Sequence, residues 1–145
     1  MKTIICGSRE LCGFQRSKDP ELWDEHAAIF CKIMDECPFI DEITEIVSGC
    51  ARGVDTLGNI VSLMRFGKKA TPFPADWEKY KKAAGPIRNQ QMLDYCLTSD
   101  SVIAILRYNS RGTKDMIERA TKKGLRVYST LVEFQSYEEK HGSCP

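Results

Sequence analysis

No run of about 20 apolar residues occurs anywhere in the 145-residue chain, so no segment predicts a membrane-spanning helix. An excess of one charge is also missing: 21 Lys and Arg against 20 Asp and Glu leave a formal net charge of +1. That balance argues against a dedicated duplex-DNA binder, which carries a basic face. Histidine is scarce, with only His26 and His141. The seven cysteines (Cys6, Cys12, Cys31, Cys37, Cys50, Cys96 and Cys144) are odd in number, and no pair has C-x-x-C spacing. With so few clustered ligands a structural zinc site is not expected, nor is any other metal. The cysteines read instead as reduced thiols of a cytoplasmic protein, several of them in the core. The first apolar stretch, residues 3–6, is too short for a signal peptide and soon meets Ser8, Arg9 and Glu10. There is no G-x-x-x-x-G-K-[ST], which excludes a P-loop nucleotidase, and no G-x-G-x-x-G dinucleotide fingerprint.

What is present is enough for one ordinary domain. The hydrophobic fraction of 42% and charged fraction of 28% rule out disorder as the main state. A chain of this size buries roughly 70% of its unfolded surface without staples. A single domain over residues 1–145 is expected, with its core over about 1–129 and a C-terminal tail over 130–145.

Short apolar runs alternate with helical patterns. Strands are predicted at residues 2–6, 43–47, 70–73, 101–106 and 125–128. Asp19 and Pro20 read as the cap and first turn of a helix reaching about Glu36, where Cys37-Pro38 ends it. In that helix Leu22, Ile29, Phe30 and Ile33 read as core, and His26 as a packing or capping residue. A second helix follows Gly53, with Val54, Leu57, Val61 and Met64 on one face and Gly67 closing it. A helical turn is predicted around Trp77, and a further helix from Ile87 to about Leu97 after Gly85-Pro86. The next helix begins near Thr113, read as its N-cap, and ends at Gly124. Residues 133–139 predict a frayed terminal helix, and residues 11–18 a mobile loop. Continuous apolar strands separated by amphipathic helices imply an α/β three-layer sandwich with a mainly parallel sheet of about five strands.

Position makes the loops informative. In a parallel sheet the loops after the first, second and fourth strands leave by one carboxyl edge, the edge where open α/β sheets bind ligands. These loops, and the start of the helix before strand four, are polar and carry glycine. After strand one come Gly7, Ser8 and Arg9; after strand two, Ser48, Gly49, Arg52, Gly53 and Asp55. Gly85, Arg88 and Asn89 open the helix before strand four, and Ser110, Gly112 and Thr113 follow that strand. Each segment also holds one arginine: Arg9, Arg52, Arg88 or Arg111. Helix N-termini present free N–H groups to an anion, glycine permits close approach, and an arginine fork matches phosphate. Taken alone, each loop is equally a turn or a helix start, with Asp55 stabilising the second helix. The recurrence of arginine is what those plainer readings leave out. Asp55, Asp76 and Asp115 are the carboxylates near these loops, suited to a ribose diol, to a catalytic base, or to solvent alone. Trp77 reads either as a platform for a nucleobase or as a half-buried connector residue, and Tyr80 shares that ambiguity. Lys79, Lys81 and Lys82 read as a solvated face.

The ordered set Gly7-Ser8-Arg9, Ser48-Gly49-Cys50-Ala51-Arg52-Gly53-Val54-Asp55, Ala75-Asp76-Trp77, Ala84-Gly85-Pro86-Ile87-Arg88-Asn89 and Ser110-Arg111-Gly112-Thr113 resembles the YspA-like, cpYpsA-related branch of the SLOG superfamily. The matching motifs span nearly the whole chain. The resemblance implies a Rossmann-like fold and a nucleotide or nucleotide-sugar ligand, such as ADP-ribose or an NAD-derived compound. It also implies relatives encoded in bacteria or phages that often form homodimers. The superfamily includes LOG phosphoribohydrolases, DNA-processing proteins and sensor domains. Three functions are therefore expected in order: a sensor or sequestering module, a nucleoside monophosphate N-glycosidase, and a single-strand nucleic-acid module. No cofactor is implied. The chain departs from the pattern at Cys50, where glycine is commoner. It departs again at Met116, which stands where the hydrolases carry the glutamate of P-G-G-x-G-T-x-x-E. Methionine cannot act as acid or base, and Asp115 lies one residue early, about 100° around a helix.

Overall fold

A computed structural model describes residues 1–142, leaving Cys144 outside the described residues. Five parallel strands, β1 (Lys2–Gly7), β2 (Glu45–Ser48), β3 (Thr71–Pro72), β4 (Ser101–Leu106) and β5 (Arg126–Leu131), form one sheet in the order β3-β2-β1-β4-β5. Among the described residues five α-helices lie between them, α1 (Pro20–Glu36), α2 (Val54–Phe66), α3 (Trp77–Tyr80), α4 (Ala84–Tyr95) and α5 (Arg111–Lys123), and α6 (Tyr137–His141) follows β5. The sandwich is the Rossmann-like one expected. From β1 the chain steps outward through β2 and β3, then returns to β4 on the other side of β1. The order of strands reverses between β1 and β4, which opens a crevice beyond their carboxyl ends.

The apolar strands follow from burial on both faces. In β1, Ile5 packs with the α1 and α2 residues Phe30, Ile33 and Leu57, whereas Ile4 and Cys6 pack with Met92, Leu93 and Met116 of α4 and α5. In β4, Ile103 and Ile105 join the first cluster and Val102, Ala104 and Leu106 the second. Strands buried on both faces lose the polar alternation of a half-exposed sheet. Pro72 is tolerated because β3 is an edge strand.

Several helix ends obey local rules. Asp19 accepts the Leu22 N–H at 3.1 Å, and Pro20 occupies the first turn of α1. Gly67 and Gly124 close α2 and α5 in the left-handed conformation. Other expectations are corrected. Val54, Leu57 and Val61 of α2 pack against the core as expected, but Met64 is 81% exposed, and Gly58 and Ser62 are buried instead. Thr113 is not an N-cap: α5 starts at Arg111 with Ser110 as its cap, and Thr113 is buried inside the first turn. Helix α4 starts at Ala84, so Gly85 and Pro86 lie within it, and it stops at Tyr95, leaving Leu97 exposed.

The start of the segment expected to be mobile, residues 11–18, is anchored, while residues 15–18 are exposed. Leu11 and Cys12 are buried, and the Cys12 N–H donates to His26 Nδ1 at 2.9 Å. That bond makes Nδ1 an acceptor, so Nε2 carries the proton and donates to the Gln135 carbonyl at 2.8 Å. His26 thus ties the first loop and α1 to the C-terminal segment, between Phe14 and Phe134. The tail beyond β5 is held again at Arg107. This buried side chain pairs with Glu10 at 2.6 Å and with Glu139, and it donates to the Phe134 carbonyl at 2.9 Å.

Burial lowers the His26 pKa below 6.5. The unfolded chain therefore takes up a proton that the folded chain resists, and stability falls as pH drops below about 6.5. Thermal melts of wild type and His26→Gln between pH 7.5 and 5 check this. The variant is expected to melt lower at pH 7.5 and to lose part of the wild-type slope. An identical slope in both proteins would exclude His26 as its source.

Candidate functional site

A cavity of about 550 Å³ opens at the carboxyl ends of β1 and β4. Its volume lies within the roughly 300–1,000 Å³ of small-molecule sites. Gly7, Ser8 and Arg9 contribute from the end of β1, and Arg52 and Asp55 from the loop after β2 and the start of α2. Arg88 and Asn89 reach it from α4, and Ser110, Gly112 and Thr113 from the start of α5. A smaller cleft of about 180 Å³ shares Arg9, Arg52 and Arg88 with it and adds Gly49, Cys50 and Trp77. All four loop arginines, including Arg111, therefore line one cavity.

Close packing of backbone shapes the floor. A Cβ on Gly7 would approach Val54 Cγ2 to 2.9 Å and overlap the Ile105 carbonyl. Gly53, at φ +82°, lets the Val54 N–H reach the Ser8 carbonyl at 3.1 Å, so the first and second loops are joined. Ser48 does not line the cavity. Its Oγ accepts the Cys50 N–H at 3.1 Å and shapes the loop. Cys50 itself adopts the left-handed conformation at φ +61°, which accounts for glycine being the easier residue there. Its exposed thiol stands in the wall of the smaller cleft.

Arg88 is a clamp as well as a wall. It is 9% exposed; Nη1 donates to the Gly49 carbonyl and Nε to Asn89 Oδ1 at 3.2 Å. Asn89 in turn donates to the Gly112 carbonyl at 3.2 Å and to Asp115 Oδ2 at 3.0 Å. One polar chain thus runs from the second loop through α4 to the start of α5.

The three carboxylates separate. Asp55 is 7% exposed and faces the cavity. Its Oδ2 accepts the Ala51 N–H at 3.1 Å, so it holds the loop instead of capping α2. Burial pushes its pKa up to about 6, against the pull of that hydrogen bond, Arg88 and Arg9. Asp76 lies outside the cavity and caps α3 by accepting the Lys79 N–H at 3.1 Å. Asp115 also lies outside, held by Asn89 and by Arg119 Nε at 2.9 Å. Met116 is fully buried in the core.

Cys6, Glu10, Ala51, Met92, Asn109 and Glu138 also line the cavity, none of them expected there from the sequence. Glu10 and Asn109 adjoin residues that were picked, and Met92 lies one turn beyond Arg88, so proximity was a usable signal. Glu138 arrives on α6, which no local pattern connects to the site. Among the described residues no three His, Cys, Asp or Glu side chains gather to hold a metal ion, and no helix is long and apolar enough to cross a membrane.

The fold and cavity define a Rossmann-like α/β domain with an arginine-lined crevice at its topological switch point. The chain matches no family model, no curated protein and no solved structure.

Proposed function

We propose that the protein is a binding module, a sensor or sequestering protein, for a nucleotide or nucleotide-sugar such as an ADP-ribose or NAD-derived ligand. The observation that carries this reading is the convergence of Arg9, Arg52, Arg88 and Arg111 from four separate segments on one cavity. The start of α5 lies in the same lining, with its free N–H groups and partial positive charge. In this reading the phosphates lie against Gly7-Ser8, Gly112-Thr113 and the arginines, and Asp55 accepts the ribose hydroxyls.

A second reading, cleavage of an N-glycosidic bond, draws on one observation. Asp55, with its pKa near 6, is the type of carboxyl that can exchange a proton near neutral pH. Against it stand the burial of Met116 and the engagement of Asp115 away from the cavity.

Calorimetric titration with ADP-ribose, NAD, AMP, ATP, GTP and cyclic nucleotides, followed by chromatography of the recovered ligand, separates the two. Tight binding with intact ligand is the expected result. Free base or ribose phosphate in the recovered material selects the hydrolase reading, and no binding by any of them rejects both.

Asp55→Asn adds a thermodynamic test. Folded Asp55 holds its proton up to about pH 6, whereas the unfolded carboxyl releases it near 3.8. Stability therefore falls as pH rises between those values, and ionised Asp55 costs on the order of 2–3 kcal/mol at neutral pH. Asparagine keeps an oxygen for the Ala51 N–H without the charge. The variant should melt higher than wild type at pH 7, with the advantage shrinking toward pH 4, while binding nucleotide at least about tenfold more weakly. Unchanged affinity would remove Asp55 from the ligand site.

A further inference from the structure

We infer that the smaller cleft receives the base of the ligand, stacked on Trp77, so that the ligand is a nucleotide laid across both hollows; this rests on the nucleotide reading above. At about 180 Å³ the cleft is below the size of a self-sufficient ligand site. It shares Arg9, Arg52 and Arg88 with the main cavity and is therefore a branch of it. The two hollows differ in chemistry. No aromatic side chain lines the main cavity, whereas Trp77 lines the branch.

Trp77 is built to stay where it is without being consumed by the core. It is 49% exposed, and no residue of α3 is buried. Asp76 holds the turn on which it stands. The rim of its indole abuts α4, where a Cβ on Gly85 would lie 3.5 Å from Trp77 Cη2. The Arg9 guanidinium lies 5.9 Å from the ring centroid and also lines the main cavity. A flat, half-wet aromatic with a guanidinium over its ring, at the junction of two hollows, matches the two chemistries of a nucleotide. Its heterocycle stacks on the indole, and its phosphate meets the arginine fork. Besides Trp77 and the three arginines, the branch is lined by the small residues Gly49, Cys50 and Ala51. A net charge of +1 favours a free nucleotide over an unpaired base of a nucleic-acid strand.

AMP and ribose 5-phosphate carry the same phosphate and differ in the base, so they test the branch alone. The chain has two tryptophans, and Trp23→Phe leaves Trp77 as the only indole reporter. AMP is expected to quench its emission, and ribose 5-phosphate to bind without quenching. By calorimetry, Trp77→Ala should weaken AMP by about 5- to 100-fold and leave ribose 5-phosphate unchanged, with Trp77→Phe restoring most of the loss. Equal losses for both ligands, or none for AMP, would overturn the inference while leaving the arginine cavity as the phosphate site. If neither compound, nor any other nucleotide, binds the unaltered chain, the nucleotide reading fails and this inference with it. A single-stranded oligonucleotide that binds more tightly than AMP, with a steep loss of affinity in salt, would reassign the branch to nucleic acid.

Discussion

Gly112→Asp is expected to lower affinity for phosphorylated ligands by at least about tenfold while leaving the fold intact. Gly112 is the second residue of α5 and lines the cavity. Its φ is not one that L side chains avoid, and a Cβ built on it meets nothing within 4 Å. The substitution is therefore free of steric cost, and glycine is the poorer helix former. An aspartate in the first turn also interacts favourably with the helix dipole, by roughly 0.3–1 kcal/mol. The same carboxylate occupies the place proposed for phosphate and repels it. Stability and binding thus move in opposite directions, which separates a site effect from unfolding. Gly112→Ala, with no charge, should bind almost as wild type. Titration with AMP and ADP-ribose, paired with thermal melts, reads both quantities. If Gly112→Asp binds as tightly as wild type, the phosphate does not sit at the start of α5.

Gly53→Ala is expected to destabilise the fold by about 2–4 kcal/mol, far more than an ordinary glycine substitution. Gly53 has φ +82° and ψ −128°, a combination open to glycine. A Cβ there would also lie 2.7 Å from the backbone carbon of Arg9 and overlap the Ser8 carbonyl. The clash is backbone against backbone, so no side chain can swing aside. Either the bond from Val54 to Ser8 breaks or the second loop leaves the cavity. Gly67→Ala is the control, because Gly67 has φ +68° but nothing within 4 Å of its Cβ position. It should cost about 1 kcal/mol from conformation alone. Denaturant midpoints of the two variants measure the difference. Equal losses would mean that the loops relax and that their close approach is not needed.

Much of the scaffold was legible along the chain because its signals are local. Apolar runs marked all five strands, and Asp19-Pro20, Gly67 and Gly124 marked helix ends, because capping satisfies backbone groups within a few residues. Of the loop residues singled out, Gly7, Ser8, Arg9, Arg52, Asp55, Arg88, Asn89, Ser110, Gly112 and Thr113 do line the cavity. The parallel sheet explains why: its topology sends alternate loops to one edge whatever their detailed conformation. Gly49 and Trp77 fell in the branch, whereas Ser48, Gly53, Gly85 and Asp76 support the loops and helices around it.

Residue order alone determined that this chain builds alternating strands and helices, and that glycine and arginine recur where those elements meet. Only the tertiary structure decided which carboxylate faces the cavity, since Asp55, Asp76 and Asp115 differ in the partners that distant elements bring to them. It alone decided that His26 and Arg107 hold the C-terminal segment, through contacts 109 and 27 residues apart in sequence, and that α6 delivers Glu138 to the cavity. The reason is physical. Secondary structure and caps are settled by neighbours a few bonds away, whereas burial, charge pairing and pKa depend on which remote segments exclude water together.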